Sequence, residues 1–176
     1  KFPGHGGAGK GSGDGTPVAF VDDLEYGPGG LAVLYAEENT RDSLFAAMQR
    51  REAYATSGTR PVLRFFGGWD YPGNLCDAAD QVAQAYAGGV PMGGDLPAAP
   101  SAGARPRFLV SAAHDPGTSE YPGAQLERIQ LVKGWFKNGE LKEQVLDVAG
   151  SGNDAEVDLD SCERRGEGHR QLCSVW

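Results

Sequence analysis

The stretch Gly30-Leu31-Ala32-Val33-Leu34-Tyr35-Ala36-Glu37-Glu38-Asn39-Thr40-Arg41 contains a change of pattern on which the reading of the fold turns. Its first half is a continuous apolar run bounded by Gly, which reads as a strand buried on both faces. Its second half is polar and ends in residues suited to a helix start: the side-chain oxygen of Asn39 or Thr40 can accept from a free backbone N–H, and Asp42 falls in the positive first turn. The helix is predicted over Arg41 to Ala53, with Leu44, Phe45 and Met48 on a buried stripe and Arg50 and Arg51 at its negative end. Residues 30–58 therefore read as one strand-to-helix unit.

Downstream, the pattern becomes β. Pro61 to Phe66 reads as a strand stopping at Gly67-Gly68, and Arg107 to Ala113 as another. Leu126 to Phe136 and Leu141 to Val148 flank Asn138-Gly139, a dipeptide that supplies the positive φ angles a tight hairpin needs. Asp77 to Ala87 is Ala-rich and presents Val82, Ala85 and Tyr86 on one face, predicting a second short helix. The span from Gly88 to Pro106 is rich in Gly, Pro and Ala and reads as a long loop. Asp154 to Asp160 alternates acids with Ala155, Val157 and Leu159, predicting an edge strand. Gly4 to Asp14 has too little side chain to bury anything, and Val18 to Val21 is a short apolar run. The predicted fold class is α+β, with few long elements, as 27 Gly and 11 Pro in 176 residues require.

Composition excludes several functions. The net charge of −8 lacks the basic footprint of a nucleic-acid binder. No apolar run approaches the roughly 20 residues that span a bilayer. A start at Lys1-Phe2-Pro3, without Met or a leader, predicts a processed chain or an excerpt. Of the three Cys, Cys162 and Cys173 lie close together in a polar tail and form the candidate disulfide in an oxidising compartment, leaving Cys76 to seek a partner elsewhere; a reducing compartment leaves three thiols.

Local motifs for chemistry are sparse. Gly4-x-x-x-x-Gly9-Lys10 nearly spells a phosphate-binding loop, but Gly11 stands where a hydroxyl should ligate magnesium, and the residues that follow cannot start the required helix. His5, His114 and His169 are scattered, with no His-x-His or paired Cys spacing. His114-Asp115 ends a strand and is read as the opening of a turn through Pro116-Gly117; His169 is read as a solvated loop residue. The alternating acids at 154–160 fit a strand face better than a calcium loop. No Gly-x-Ser-x-Gly elbow occurs. Glu37, Glu38 and Arg41 differ in kind, because polar residues at the C-terminal end of a buried strand stand where α/β barrels and open sheets place their chemistry.

Several blocks are familiar together: Phe2-Pro3-Gly4-His5-Gly6-Gly7-Ala8-Gly9-Lys10, Pro28 to Arg41, Arg50 to Arg60, Arg64-Phe65-Phe66-Gly67-Gly68-Trp69-Asp70, Gly89 to Leu96, and Leu126 to Trp135. The chain resembles the bacterial family catalogued as domain of unknown function 3604, related to the polymerase-and-histidinol-phosphatase (PHP) type of metal-dependent hydrolase. The resemblance implies a larger parent whose distorted (β/α) barrel holds divalent metal ions (zinc, manganese or iron), none of them assignable to this chain alone. Residues 1–59 then correspond to a Gly-rich lead-in and the closing strand-helix unit of that barrel, and 60–176 to a β-rich accessory region with one short extra helix. His5, Glu37, Glu38, Asn39, Arg41 and Asp95 become rim candidates. The implied partners are the N-terminal part of the parent, a small-molecule ester or phosphoester substrate and a second copy of the chain; the implied location is periplasmic or secreted, with cytoplasmic as the alternative. On this reading the chain alone is inactive. The competing class is a noncatalytic β module that binds a partner or carbohydrate through Trp69, Tyr71 and Trp135, whose plain alternative, for Trp135 above all, is a place in the core.

Overall fold

A computed structural model describes residues 30–120 and 122–176, and the chain divides into two units, Lys1–Arg60 and Pro61–Trp176. The lead-in motifs at 2–14, the run Val18 to Val21 and the candidate His5 lie outside the described residues.

In the first unit, Gly30–Leu34 forms β1 and Arg41–Arg50 forms α1. Thr40 is the cap: its extended backbone lets Oγ1 accept from the Ser43 N–H at 3.3 Å. The helix ends three residues earlier than its pattern predicts. Arg51 takes the left-handed conformation (φ 59°), and the Glu52 N–H reaches back to the Ala47 carbonyl at 3.1 Å. That reversal releases Ala53–Ser57 as β2, an unforeseen strand that pairs antiparallel with β1 from Gly30↔Ser57 to Leu34↔Ala53. Burial departs from expectation as well. The outer residues of β1 are exposed, and on α1 Ala47 is buried while Phe45 and Met48 are more than half exposed. Among the described residues of this unit β1 has one strand neighbour, and the run read as buried on both faces is exposed over Gly30–Ala32 and only half-buried from Val33 to Ala36.

The second unit is built on four antiparallel strands in the order β10-β5-β3-β4: β3 Val62–Gly68, β4 Gly89–Pro91, β5 Arg107–Ala113 and β10 Gln171–Val175. Alternation sends Phe66 and Leu109 to one face and Phe65 and Val110 to the other. On the first face a 3₁₀ turn, Leu75–Asp77, and α2, Gln81–Gly88, close a core of Phe66, Tyr71, Leu75, Ala85 and Leu109. The buried Tyr71 hydroxyl donates to the Ala85 carbonyl at 2.7 Å, and burial pushes its phenol up in pKa, which keeps the donor protonated. Gly89 is required beside it: a Cβ there would collide with the Gly67 carbonyl and the Tyr71 hydroxyl.

The opposite face carries Val110, Ala112 and Leu172, covered by Ile129 from the base of a hairpin formed by β6, Ile129–Lys137, and β7, Glu140–Ala149. Asn138 (φ 55°) and Gly139 (φ 81°) make its turn, both in the left-handed region as the sequence demands. The fold is thus mixed α+β and mostly antiparallel.

Three expectations are corrected here. The disulfide joins Cys76 to Cys173 (Cα–Cα 5.8 Å), whereas the candidate pair was Cys162 and Cys173; Cys162 is exposed and free. Nearness in sequence misled, because β10 carries Cys173 onto the sheet face that the Leu75–Asp77 turn covers. The long loop after α2 begins with a strand, β4, that adds to the sheet edge. The predicted acidic strand at 154–160 shrinks to β8, Glu156–Val157, paired with β9, Arg164–Arg165. Asp158 ends it by folding the chain: its Oδ1 accepts from the backbone N–H groups of Ser161 and Asp160 at 3.0 Å, and its carboxylate pairs with Arg165.

These bonds, those from Ser161 and Asp160 first, hold the Asp158 carboxyl below the ordinary aspartate range. A depressed carboxyl favours the folded turn above the unfolded pKa and loses that contribution as pH falls through the folded value. The expected result is a carbon-detected NMR titration of Asp158 with its midpoint below that of an aspartate in the urea-unfolded chain, accompanied by loss of the β8–β9 pairing signals at the same pH. A midpoint at the unfolded value would refute it.

Candidate functional site

The first candidate surrounds the junction of β1 and α1. A cleft of about 430 Å³ is lined by Glu37, Glu38, Thr40, Asp42, Ser43 and Arg50. Its wall is built by the helix cap: Thr40 donates its hydroxyl to Glu38 Oε1 at 3.2 Å, and Ser43 Oγ accepts from the Glu38 N–H at 3.2 Å. Glu38 is therefore fixed by the structure that starts the helix. Arg50, the last residue of α1, donates to the Tyr35 carbonyl and pairs with Glu52 at 3.4 Å. Glu52 is buried, and sequence reasoning missed both it and Arg50, which had been read as a dipole-neutralising residue. The signal was present in the charged run Arg50-Arg51-Glu52, where an acid sits directly after a helix that ends in two bases.

The structure thus brings Glu37 and Glu38 into one cleft. Asn39 and Arg41 are exposed beside the cap and do not line it. Asp95 lies in the second unit, exposed in the segment after β4. Among the described residues no group of three or more His, Cys, Asp or Glu side chains gathers closely enough to hold a metal ion, so these residues do not by themselves fit a metal centre.

The second candidate lies within the 61–176 unit and was not foreseen. Phe65, Phe108 and Trp176 form a stacked series across the sheet, with ring centroids 5.7 Å and 6.3 Å apart and interplanar angles of 9° and 25°. Trp176 is held there by a pair of backbone hydrogen bonds with Phe108, 2.8 and 2.9 Å. Opposite stand Leu131 and Leu146, cross-strand partners on the hairpin, and the space between is a cleft of about 920 Å³. Lys133 and Arg105 also line it, and no Asp or Glu side chain does among the described residues. Arg107 touches the cleft too, but its guanidinium donates to the Tyr71 carbonyl at 2.5 Å.

The remaining sequence candidates sort as follows. His114 directly follows β5, its backbone N–H donating to the Arg170 carbonyl at 2.9 Å; its Nδ1 is buried without a hydrogen-bond partner among the described residues. Asp115 then opens the expected turn by accepting from the Gly117 N–H. His169 is half-buried and bridges Leu126 through both backbone groups, a correction to its reading as a solvated residue. Of the three aromatics read as a platform, Tyr71 is 2% exposed and belongs to the core, Trp69 donates Nε1–H to the Pro97 carbonyl, and Trp135, expected in the core, is 37% exposed with Lys133 Nζ 5.4 Å over its ring. No helix among the described residues is long and apolar enough to cross a membrane.

No curated protein and no solved structure matches the chain. A family model described as protein of unknown function (DUF3604) matches residues 8–176. Because that match runs through both units and nearly the whole sequence, the chain belongs to the DUF3604 family.

Proposed function

We propose that the chain is the C-terminal portion of a metal-dependent hydrolase of the ester or phosphoester class, related to the PHP type, and that it frames the active site while the metal ligands lie elsewhere in the parent. The observation that carries this reading is the position of Glu37 and Glu38: two carboxylates in a cleft at the C-terminal end of a strand, immediately before a helix, where α/β barrels place their chemistry. A second feature supports it. Leu31, Phe45 and Met48 leave apolar surface uncovered on the first unit, and among the described residues β1 has a neighbour along one edge only, so a further strand and layer fit there. On this reading β1 and α1 close a (β/α) barrel, and the layer is supplied by the N-terminal part of the parent. The Cys76–Cys173 disulfide favours an oxidising compartment, periplasmic or secreted.

The test uses the longer parent protein. It is expected to purify with stoichiometric divalent metal and to hydrolyse p-nitrophenyl phosphate or p-nitrophenyl acetate, and the Glu37→Gln and Glu38→Gln variants are expected to lose at least about tenfold in kcat/KM with metal content unchanged. A metal-free, inert parent would sink the reading; unchanged kcat/KM in both variants would remove Glu37 and Glu38 from the rim. A second reading, a noncatalytic binding module, is favoured by one observation, the aromatic cleft of the 61–176 unit.

A further inference from the structure

We infer that the 61–176 unit binds a small organic anion with a flat, apolar body in the cleft between the Phe65–Phe108–Trp176 series and the β6–β7 hairpin, with the anionic head at Lys133 and Arg105. The site lies wholly within one unit and needs no metal, so it stands independently of the hydrolase reading.

Side chains alternate between the two faces of the hairpin. Leu131, Lys133 and Trp135, with their cross-strand partners Leu146, Gln144 and Lys142, share one face, and Val132, Phe136, Val145 and Leu141 share the other. The cleft takes Leu131, Lys133 and Leu146 from the first of these faces and is bordered by Val132 and Gly134 of the same strand, so a largely aliphatic wall accompanies the aromatic series and the gap suits a planar apolar group. The volume, about 920 Å³, lies within the range of small-molecule sites.

Charge then selects the ligand. In a chain of net charge −8, a cleft whose charged side chains are all basic departs from the overall balance of side-chain charge. Arg107 holds its guanidinium against the Tyr71 carbonyl, which leaves Lys133 and Arg105 for the anionic head. Lys133 is steadied over the Trp135 ring, which holds a flexible ammonium near the cleft without neutralising it, and Arg105 enters from the segment before β5. A neutral apolar ligand would gain from the walls alone; an organic carboxylate, sulfate or phosphate would gain from both. Nucleic acid fits poorly, because two cations beside a chain of net negative charge cannot offset a polyanion's repulsion.

Isothermal titration of the purified chain tests this with 2-naphthoate, 2-naphthalenesulfonate and 2-naphthyl phosphate, and with neutral 2-naphthalenemethanol as the uncharged counterpart. At least one anion is expected to bind at a single site with Kd at or below about 1 mM, and the alcohol at least about tenfold more weakly. Which head binds most tightly separates carboxylate from sulfate and phosphate. The double variant Lys133→Gln with Arg105→Gln is expected to weaken the anion at least about tenfold and leave the alcohol within about twofold. Phe136→Ser, on the opposite face of the hairpin, is expected to change neither. Absence of saturable binding by all three anions, undiminished anion binding in the double variant, or loss of binding in Phe136→Ser would overturn the inference. Should the double variant fail to fold, the unaltered chain decides: raising NaCl from about 50 to 500 mM weakens the anion and spares the alcohol if the cations hold it, and an equal response of the two ligands rejects the site.

Discussion

Reduction of the Cys76–Cys173 disulfide, or its removal as Cys173→Ser, is expected to destabilise the 61–176 unit by about 3–5 kcal/mol and lower its Tm by about 10 °C or more. The bridge spans 97 positions of sequence, so in the chain-entropy account it restricts most of the unit's unfolded ensemble. It also ties the Leu75–Asp77 turn to the edge strand β10, whose Cys173 and Val175 pack against the Phe66–Leu109 core. Cys162→Ser provides the control, since Cys162 is exposed and free and its loss is expected to fall within about 0.5 kcal/mol. Thermal unfolding by circular dichroism with and without reductant measures both. Equal melting of the oxidised and reduced chain, or a large loss in Cys162→Ser instead, would mean that the bridge contributes nothing to this unit.

Phe66→Ala is expected to cost about 3–5 kcal/mol, whereas Phe136→Ala costs less than about 0.5 kcal/mol. Both are aromatic residues in strands, and they differ in surroundings. Phe66 is 1% exposed, packed with Tyr71 and Leu109 and meeting Tyr86 edge to face at 4.9 Å, so its removal leaves a cavity that a disulfide-tied sheet and helix cannot readily close. Phe136 is 73% exposed near the tip of the hairpin. Urea unfolding of the two variants gives the comparison, and similar losses would show that the hairpin's outer face is covered in solution.

The hairpin illustrates what was legible without coordinates. Asn138-Gly139 dictates its own turn through residues that tolerate positive φ, and the flanking runs then pair by alternation. Thr40 as a cap, β5 over Arg107–Ala113 and the face of α2 that carries Ala85 were equally accessible, because each depends on neighbours within a few positions. The two carboxylates at the end of β1 belong to the same class: their place before the helix start is a local fact.

Pairing across long stretches was not legible. β2 depended on the left-handed turn at Arg51, a conformation that a non-Gly side chain disfavours and that no residue type announces. β10 became a strand by finding β5, and that encounter chose Cys76 over Cys162 as the partner of Cys173. The aromatic cleft had no motif to be read because its parts come from β3, β5, the hairpin and Trp176. By itself, then, the sequence determined the turns, caps and periodic segments, whose energetics are settled within one helical turn or one hairpin. Tertiary structure alone decided which strands met, which cysteines bonded and which aromatics were buried, because an apolar residue gains from burial wherever it occurs, and only the packed chain specifies the surface that covers it.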